Sequence, residues 1–391
     1  MAQIKSALYS VGRNVFIYGD RGVGKTSLAQ TAAYIHQSSD GTPILLACDS
    51  STTVMTLSRE IAVELIQQSP LFQSSSLSLG GSVKFFEKLG AEIQKQITEG
   101  KVPEPRSLNE AISLLEFAAA QHSEEPVAVI DEFDRMTAPD QQALFGDLIK
   151  QFGDRAVGLK LIFSGVGDSL DVLLNKHESC YRYLASIKLD RLAWDARMDI
   201  VRKAAAQFGV SVDKTYLYRI AAISDGFPHF IHLIASKLFW AMFNDPEQVD
   251  AVSAKHFKEG IQEAVKDVQH HLDSAYASAT KKYRGDYEEV LWAVADHPDL
   301  ERRSAAIYEQ SYARIMSYLK KEPLERATFN NRMNNLKKAS HGAILRGTRQ
   351  GWYEFNEPMM RGYVRLKAEQ AGVQLDIDHG LERSIIDTYH G

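Results

Sequence analysis

The chain has 391 residues, of which 45% are hydrophobic and 24% are charged, and its formal net charge is −5. This composition is ordinary for a globular protein of two or three domains, at about 100–200 residues each. Cys48 and Cys180 are the only cysteines, which excludes a disulfide framework and a multi-cysteine metal site and suits a reducing, cytoplasmic location. The sequence has no run of about 18 apolar residues and no signal-peptide pattern, so we expect no membrane partner.

Residues 19–26 read Gly-Asp-Arg-Gly-Val-Gly-Lys-Thr and lie between a short apolar run and a predicted helix. This is the phosphate-binding loop pattern of nucleoside triphosphatases, in which glycines let backbone amides approach the phosphates. Lys25 reaches the β and γ oxygens, Thr26 offers a hydroxyl to Mg²⁺, and the helix N-terminus adds partial positive charge. The predicted nucleotide-binding residues are Gly19, Gly22, Val23, Gly24, Lys25, Thr26 and Ser27.

Strands and helices alternate through the first half of the chain, which predicts an α/β fold with a parallel sheet and helices on both faces. The predicted strands are Asn14–Tyr18, Pro43–Cys48, Pro126–Asp131, Leu159–Ser164 and Ser186–Leu189. The predicted helices between them are Thr26–His36, Thr52–Gln68, Leu108–Gln121 and Pro139–Gln151. Residues 67–107 form a long insertion, which is either a surface excursion or a loop that binds a ligand or partner.

Two acids, Asp131 and Glu132, follow the apolar strand Val127–Ile130. Ligands bind at the carboxyl ends of strands in open α/β sheets, so these acids are predicted to belong to the same site. Asp131 is predicted to hold Mg²⁺ through water, beside the Thr26 hydroxyl, and Glu132 to orient and polarise the attacking water. Ser164, at the end of the next strand, is predicted to position that water or sense the γ-phosphate, the alternative being a serine that caps the following loop.

These features, followed by a helical region, resemble the AAA+ ATPase module over roughly residues 14–243. The resemblance implies ATP and Mg²⁺ as cofactors, slow and regulatory hydrolysis, a helical lid and homo-oligomers with ATP-bridged interfaces. It also implies a catalytic arginine finger at Arg182, the alternative being an ordinary surface arginine. In the lid turn, His229 stands where the family often has an arginine, and it can donate one hydrogen bond to a phosphate.

The charge changes towards the C-terminus, where residues 314–367 contain twelve basic and four acidic side chains, a net charge of +8. A predicted helix, Thr328–Ser340, has Phe329, Met333 and Leu336 on one face. Two earlier helices and a following hairpin with a basic tip make the region similar to a winged helix-turn-helix domain. Its alternative role is protein binding or packing. The predicted DNA-binding residues are Arg332, Asn334, Asn335, Lys337, Lys338, Arg346 and Arg349.

The predicted domains are an ATPase core at 1–189, a helical lid at 190–273 and a winged-helix domain at 274–391. This order is most similar to the initiator group, which comprises origin-recognition ATPases and, more loosely, transposition-regulator ATPases. The leading hypothesis is that ATP binding and hydrolysis are coupled to assembly on, or remodelling of, double-stranded DNA. The alternative is a STAND-like regulatory switch of a defence or signalling system. In that case the C-terminal domain binds a partner protein, and any effector is a separate chain.

Overall fold

The computed structural model describes residues 1–37, 41–69, 101–122, 124–136, 138–167, 182–281 and 286–375. It divides the chain into two compact units, the first formed by residues 1–20 and 24–190 and the second by residues 21–23 and 191–391. The three predicted domains remain predictions, and most of the insertion at 67–107 lies outside the described residues. Within the described ranges, no helix combines the length and apolar character needed to cross a membrane.

The first unit contains a parallel sheet, which confirms the predicted α/β fold class. Its described strands lie in the order β2-β3-β4-β1-β5, and every neighbouring pair is parallel. The observed strand ends differ by no more than two residues from the prediction. The strands are β1 (Asn14–Tyr18), β2 (Ile44–Ala47), β3 (Val127–Asp131), β4 (Lys160–Gly165) and β5 (Leu184–Lys188).

Helices cover the two faces of this sheet because successive strand residues point to opposite sides. Val15 and Ile17 join a core with the first two helices, whereas Phe16 joins the larger core formed with the other three. The helices of the first unit are α1 (Ala2–Leu8), α2 (Lys25–His36), α3 (Val54–Gln68), α4 (Leu108–Ala119) and α5 (Pro139–Arg155).

The second unit begins with helices that correspond to the predicted lid. The predicted lid is divided into separate helices near Gly209 and Gly226, whose φ angles are 69° and 79°. These left-handed conformations end a helix and are readily adopted by glycine. The lid helices are α6 (Trp194–Gln207), α7 (Lys214–Ser224), α8 (Pro228–Phe243) and α9 (Ala254–Lys266).

The C-terminal part of the second unit combines helices with an antiparallel sheet of strand order β6-β8-β7. A π-helical segment, Ile307–Tyr312, connects α12 with α13. The strands are β6 (Arg302–Arg303), β7 (Leu345–Gly347) and β8 (Trp352–Phe355). The helices are α10 (His270–Thr280), α11 (Tyr287–Ala295), α12 (Ser304–Ala306), α13 (Ala313–Tyr318), α14 (Arg326–Asn335) and α15 (Met360–Gln370).

Helix α14 corresponds to the predicted DNA-recognition helix but ends earlier than the sequence suggests. Its buried face is as predicted, since Phe329, Met333 and Leu336 are all fully buried. The Leu336 carbonyl accepts a hydrogen bond from the Leu345 amide of β7 instead of continuing the helix. The predicted extent of the helix, to Ser340, was therefore wrong, and Lys337 and Lys338 follow its C-terminus.

Candidate nucleotide-binding site

The loop between β1 and α2 has the conformation that its glycines predict. Gly22 and Gly24 have φ angles of 83° and 97°, which disfavour residues with a Cβ. Gly24 is the N-cap of α2, so the first backbone amides of that helix are available at the loop. Val23, between the two glycines, is buried. The resulting helix N-terminus is suited to an anionic ligand.

Lys25 lies across the loop that precedes it. Its ammonium group donates hydrogen bonds to the carbonyls of Gly19 and Asp20, at 3.1 and 2.9 Å. These contacts direct the positive charge towards the loop backbone rather than outward. The side chain is thus placed where phosphate oxygens would be held by the loop amides and the ammonium together.

The strand order brings the ends of β1, β4 and β3 together, with β4 in the middle. Thr26 is the second residue of α2, and its hydroxyl donates a hydrogen bond to Asp131 Oδ2 at 2.6 Å. The Ser164 hydroxyl, at the end of β4, donates to Asp131 Oδ1. Ser164 therefore contacts a carboxylate of the site, and its role in positioning water or sensing the γ-phosphate remains a prediction.

Mg²⁺ prefers oxygen ligands and is usually bound by one or two carboxylates together with substrate phosphates. The Thr26 hydroxyl and the Asp131 carboxylate lie within hydrogen-bond distance of each other beside the phosphate loop. This donor set fits a Mg²⁺ ion that arrives with a nucleotide.

Glu132 follows directly and adopts an unusual backbone conformation, with φ 53° and ψ 38°. Its carboxylate pairs with Arg135 at 2.9 Å, and both side chains are about half exposed. The next residue, Phe133, is fully buried and contacts the rings of Phe145 and Phe163 edge-on. The backbone of Glu132 is therefore fixed by the core, while its carboxylate reaches solvent.

Sequence comparison finds a protein family that is similar to the part of the chain containing this site. Residues 1–161 match the family model described as AAA ATPase domain. The match contains the phosphate loop and the Asp131-Glu132 strand end, and it confirms the predicted AAA+ module in this part of the chain. No curated protein matches the chain.

Several solved structures are similar to most of the chain at low sequence identity. The Walker-type ATPase PABY2304 of Pyrococcus abyssi is 17% identical, with a TM-score of 0.47 over 93% of this chain and 94% of that chain. The Aeropyrum pernix ORC1 protein, solved in complex with DNA, is 14% identical, with a TM-score of 0.40 over 92% and 87%. The Thermotoga maritima RuvB Holliday junction branch migration motor is 13% identical, with a TM-score of 0.44 over 96% and 92%.

Two further site residues, Arg182 and His229, were predicted from the family resemblance alone. Arg182 is exposed two residues before β5, and its role as a finger remains a prediction. His229 is the second residue of α8, and its Nε2 is buried without a hydrogen-bond partner in the part of the chain that the structure describes. Burial, together with the neighbouring His232, lowers the pKa of His229. Burial therefore disfavours the charged form of this imidazole.

The predicted DNA-binding residues on α14 make contacts inside their own domain. The Arg332 guanidinium lies 4.9 Å from the centre of the Tyr287 ring, and Asn335 donates to the hydroxyl of the same tyrosine at 3.1 Å. Asn334 accepts a hydrogen bond from the Tyr353 hydroxyl at 3.1 Å. Three side chains expected to face DNA are thus at least partly engaged with the domain.

The four basic residues between α14 and β8 are exposed, and three of them have acidic or polar neighbours. Lys338 donates to Asn335 at 2.8 Å. Acidic partners contact the two hairpin arginines, Glu354 with Arg346 at 2.7 Å and Glu301 with Arg349 at 3.6 Å. The four exposed cations at this end of the domain are Lys337, Lys338, Arg346 and Arg349.

Two of the twelve basic residues counted in the sequence, Arg361 and Arg365, are buried, with 4% and 2% of their surface exposed. Both contact Asp225, so they do not add to the surface charge. Arg361 and Arg365 are four residues apart, so the sequence alone predicts that they share one face of a helix. It does not predict their partner Asp225, which precedes them by 136 and 140 residues. The charge count therefore overstated the basic surface, and sequence reasoning missed this ion cluster.

If Asp131 binds Mg²⁺ with Thr26, Asp131→Asn should weaken Mg²⁺-dependent nucleotide binding by about 10–100-fold, the range for loss of a side chain that supports a metal site. Affinity measured in EDTA should change little, because the loop amides and Lys25 remain. Titration of a fluorescent ATP analogue with and without Mg²⁺ measures both. Asp49→Asn, an exposed carboxylate just after β2, is the control, and an equal loss in EDTA would contradict the metal role.

Proposed function

We propose that the chain hydrolyses ATP at the carboxyl edge of its parallel sheet. The observation that supports this most directly is the Asp131 carboxylate, which receives the Thr26 hydroxyl on one oxygen and the Ser164 hydroxyl on the other. It supports the proposal because a hydroxyl and a carboxylate, both suited to Mg²⁺, lie together beside the phosphate loop. Glu132 follows directly, and its carboxylate is about half exposed and pairs with Arg135.

In the proposed reaction, the loop amides and Lys25 bind the β- and γ-phosphates and stabilise the negative charge that develops on them. Mg²⁺, when bound with ATP, neutralises charge on the phosphate oxygens. The Glu132 carboxylate orients a water molecule and accepts its proton as the oxygen attacks the γ-phosphorus. The bond between the γ-phosphorus and the bridging oxygen breaks, and the products are ADP and phosphate.

For this role, Glu132→Gln should lower turnover by about 10²–10⁴-fold, which is the usual contribution of a general base. ATP affinity should stay close to that of the wild type, because glutamine preserves size and leaves the phosphate loop intact. Phosphate release and ATP titration measure the two quantities. Glu124→Gln, an exposed acid outside the site, serves as the control. Wild-type turnover in the Glu132 variant would remove this residue from the mechanism.

We further propose that the ATPase works as a homo-oligomer in which Arg182 reaches the ATP of a neighbouring subunit. The exposed position of Arg182 supports this, since a guanidinium on the surface is free to contact another molecule. A planar, permanently charged group is suited to stabilise the charge on the transferred phosphate.

Mixing two inactive variants tests whether Arg182 acts between subunits. Arg182→Ala subunits retain the phosphate loop, and Lys25→Ala subunits retain the arginine, so a mixed interface can assemble one complete site. Turnover of the mixture should exceed that of either variant alone. If the mixture is no more active than the separate variants, Arg182 does not act across an interface.

We infer that the C-terminal elements are a winged-helix domain that binds double-stranded DNA and that ATP controls assembly on, or remodelling of, the DNA. Supporting features are the three-stranded antiparallel sheet, the preceding helices and the four exposed cations Lys337, Lys338, Arg346 and Arg349. Cations that contact phosphates release counterions, and this release contributes much of protein–DNA affinity. The architecture agrees with the resemblance to the initiator group.

The combined substitution Lys337→Ala, Lys338→Ala and Arg349→Ala should weaken duplex binding and flatten its salt dependence. Each lost phosphate contact lowers the slope of log affinity against log salt by about one unit. A control with Lys203→Ala, Lys258→Ala and Lys266→Ala removes the same charge from exposed lid positions. Fluorescence anisotropy at several salt concentrations measures the slope, and equal slopes in both triple variants would contradict this DNA interface.

One observation favours the STAND-like switch as a second candidate. Arg332, Asn334 and Asn335 contact tyrosines of their own domain, which leaves fewer side chains on α14 to read DNA bases. A domain of this kind is able to bind a partner protein instead. The salt titration separates the two functions, because a wild-type chain that turns over ATP without duplex affinity supports the switch.

A further inference from the structure

Asp225 is a buried carboxylate in the turn between α7 and α8, with 3% of its surface exposed. Arg361 donates to both of its oxygens, at 2.8 and 2.5 Å, and Arg191 donates to Oδ2 at 2.6 Å. Arg365 lies 3.7 Å from Oδ1. Although burial opposes its ionisation, the arginines hold the pKa of Asp225 below its ordinary value. One lid residue is thus the shared anion for three arginines, two of them from α15.

The remaining donors of the α15 arginines bind carbonyls at the ends of two other helices. Arg361 Nη1 lies within 3.0 Å of three carbonyl oxygens that follow α11, those of His297, Pro298 and Asp299. Arg365 donates to carbonyls at both helix ends, those of Ala295, His297 and Ala222. Since helix C-termini carry unsatisfied carbonyls, these contacts join the end of α7 to the end of α11 through α15.

This arrangement resists separation of the lid from the C-terminal elements. Pulling α15 away from α7 would break every contact between Asp225 and the two α15 arginines, and a partial opening would leave buried charges without partners. Uncompensated buried charges are strongly destabilising. Lid helix α7 and the C-terminal helices α11 and α15 are therefore expected to move together.

The residues that follow Asp225 form the lid turn. Arg191 lies 4.5 Å from the centre of the Phe227 ring, and Phe227 is fully buried. The Gly226 carbonyl accepts from the Leu192 amide at 2.9 Å, and a Cβ at residue 226 would come within 2.9 Å of the Leu192 carbonyl oxygen. The turn that leads to His229 is thus held rigidly on the same carboxylate that binds α15.

We propose that Asp225 and Arg361 are positioning residues that couple the lid turn to the C-terminal domain, so that an ATP-dependent change in the lid changes DNA affinity. The proposal deepens the proposed function and rests on it. Neither residue contacts substrate, and their effect is carried by the shared orientation of α7 and α15. Coupling of this kind is reciprocal, so DNA changes ATP affinity by the same factor.

Amide hydrogen exchange of the full chain tests the link without ATP or DNA. Asp225→Asn should speed exchange together in α7, in α15 and in residues 295–299, by at least about tenfold, because the closed state then holds buried arginines without their anion and opening costs less free energy. Asp296→Asn is the control, since the side chains of Asp296 and Asp225 are both 4% exposed and Asp296 pairs with Arg314 at 2.5 Å within the C-terminal elements. In this control, exchange in α7 should stay at the wild-type rate. Faster exchange confined to residues around 225, with α15 and residues 295–299 unchanged, would overturn the link.

Coupling is measured as the ratio of duplex affinities with and without a non-hydrolysable ATP analogue. The wild type should give a ratio clearly different from one. Asp225→Asn should bring the ratio close to one while changing ATP affinity in the absence of DNA by less than about threefold, and Asp296→Asn should keep the wild-type ratio. A wild-type ratio in Asp225→Asn would overturn the proposal. A wild type without duplex affinity would instead refute the proposed DNA function, and hydrogen exchange would still decide the link.

Should Asp225→Asn fail to fold, Arg191→Gln provides a milder change, because the Arg191 side chain is 15% exposed and Arg361 stays paired with the carboxylate. Its ratio should move part of the way towards one. A ratio equal to that of the wild type would count against the coupling role of the cluster.

Discussion

The functional edge of the first unit depends on the register of its parallel strands. Ile130 of β3 pairs with Phe163 of β4, so the next residues along each strand, Asp131 and Ser164, emerge side by side. A shift of one residue would turn one of these side chains to the opposite face of the sheet. The contact between Thr26 and Asp131, which are 105 positions apart, is then completed by α2 starting beside β1. Sheet order and register therefore assemble the site before any ligand binds.

The charges of the second unit serve two different purposes. Buried arginines on α15 satisfy an aspartate and several helix-end carbonyls, so their charge is balanced internally. Exposed lysines and arginines around the hairpin remain in contact with solvent. Two of them have acidic partners, Glu354 beside Arg346 and Glu301 beside Arg349, which reduce their net positive charge. Net charge along the sequence does not distinguish these purposes, because a buried cation and a surface cation count equally. The surface field of the domain is accordingly weaker than the charge count implies.

The sequence predicted the features that depend on short segments. The phosphate loop, the apolar strands and the buried face of α14 all leave local patterns, and the strands end within two residues of their predicted positions. Strand β6 has two residues and therefore no periodicity, and it was missed. The end of α14 was misplaced because a distant amide, that of Leu345, binds the Leu336 carbonyl. The Asp225 cluster joins residues more than 130 positions apart. Neither the lid turn nor α15 has a local sequence pattern that predicts this pairing.

The left-handed backbone of Glu132 has a consequence for how this protein can evolve. A glutamate at φ 53° is held in a conformation that costs of order 1–3 kcal/mol for residues other than glycine and, to a lesser extent, asparagine. Replacement by glycine or asparagine would relieve that strain and remove the carboxylate at once. Selection for thermal stability alone would therefore favour loss of this side chain. Under the proposed role of Glu132 as general base, activity is then retained at the expense of stability.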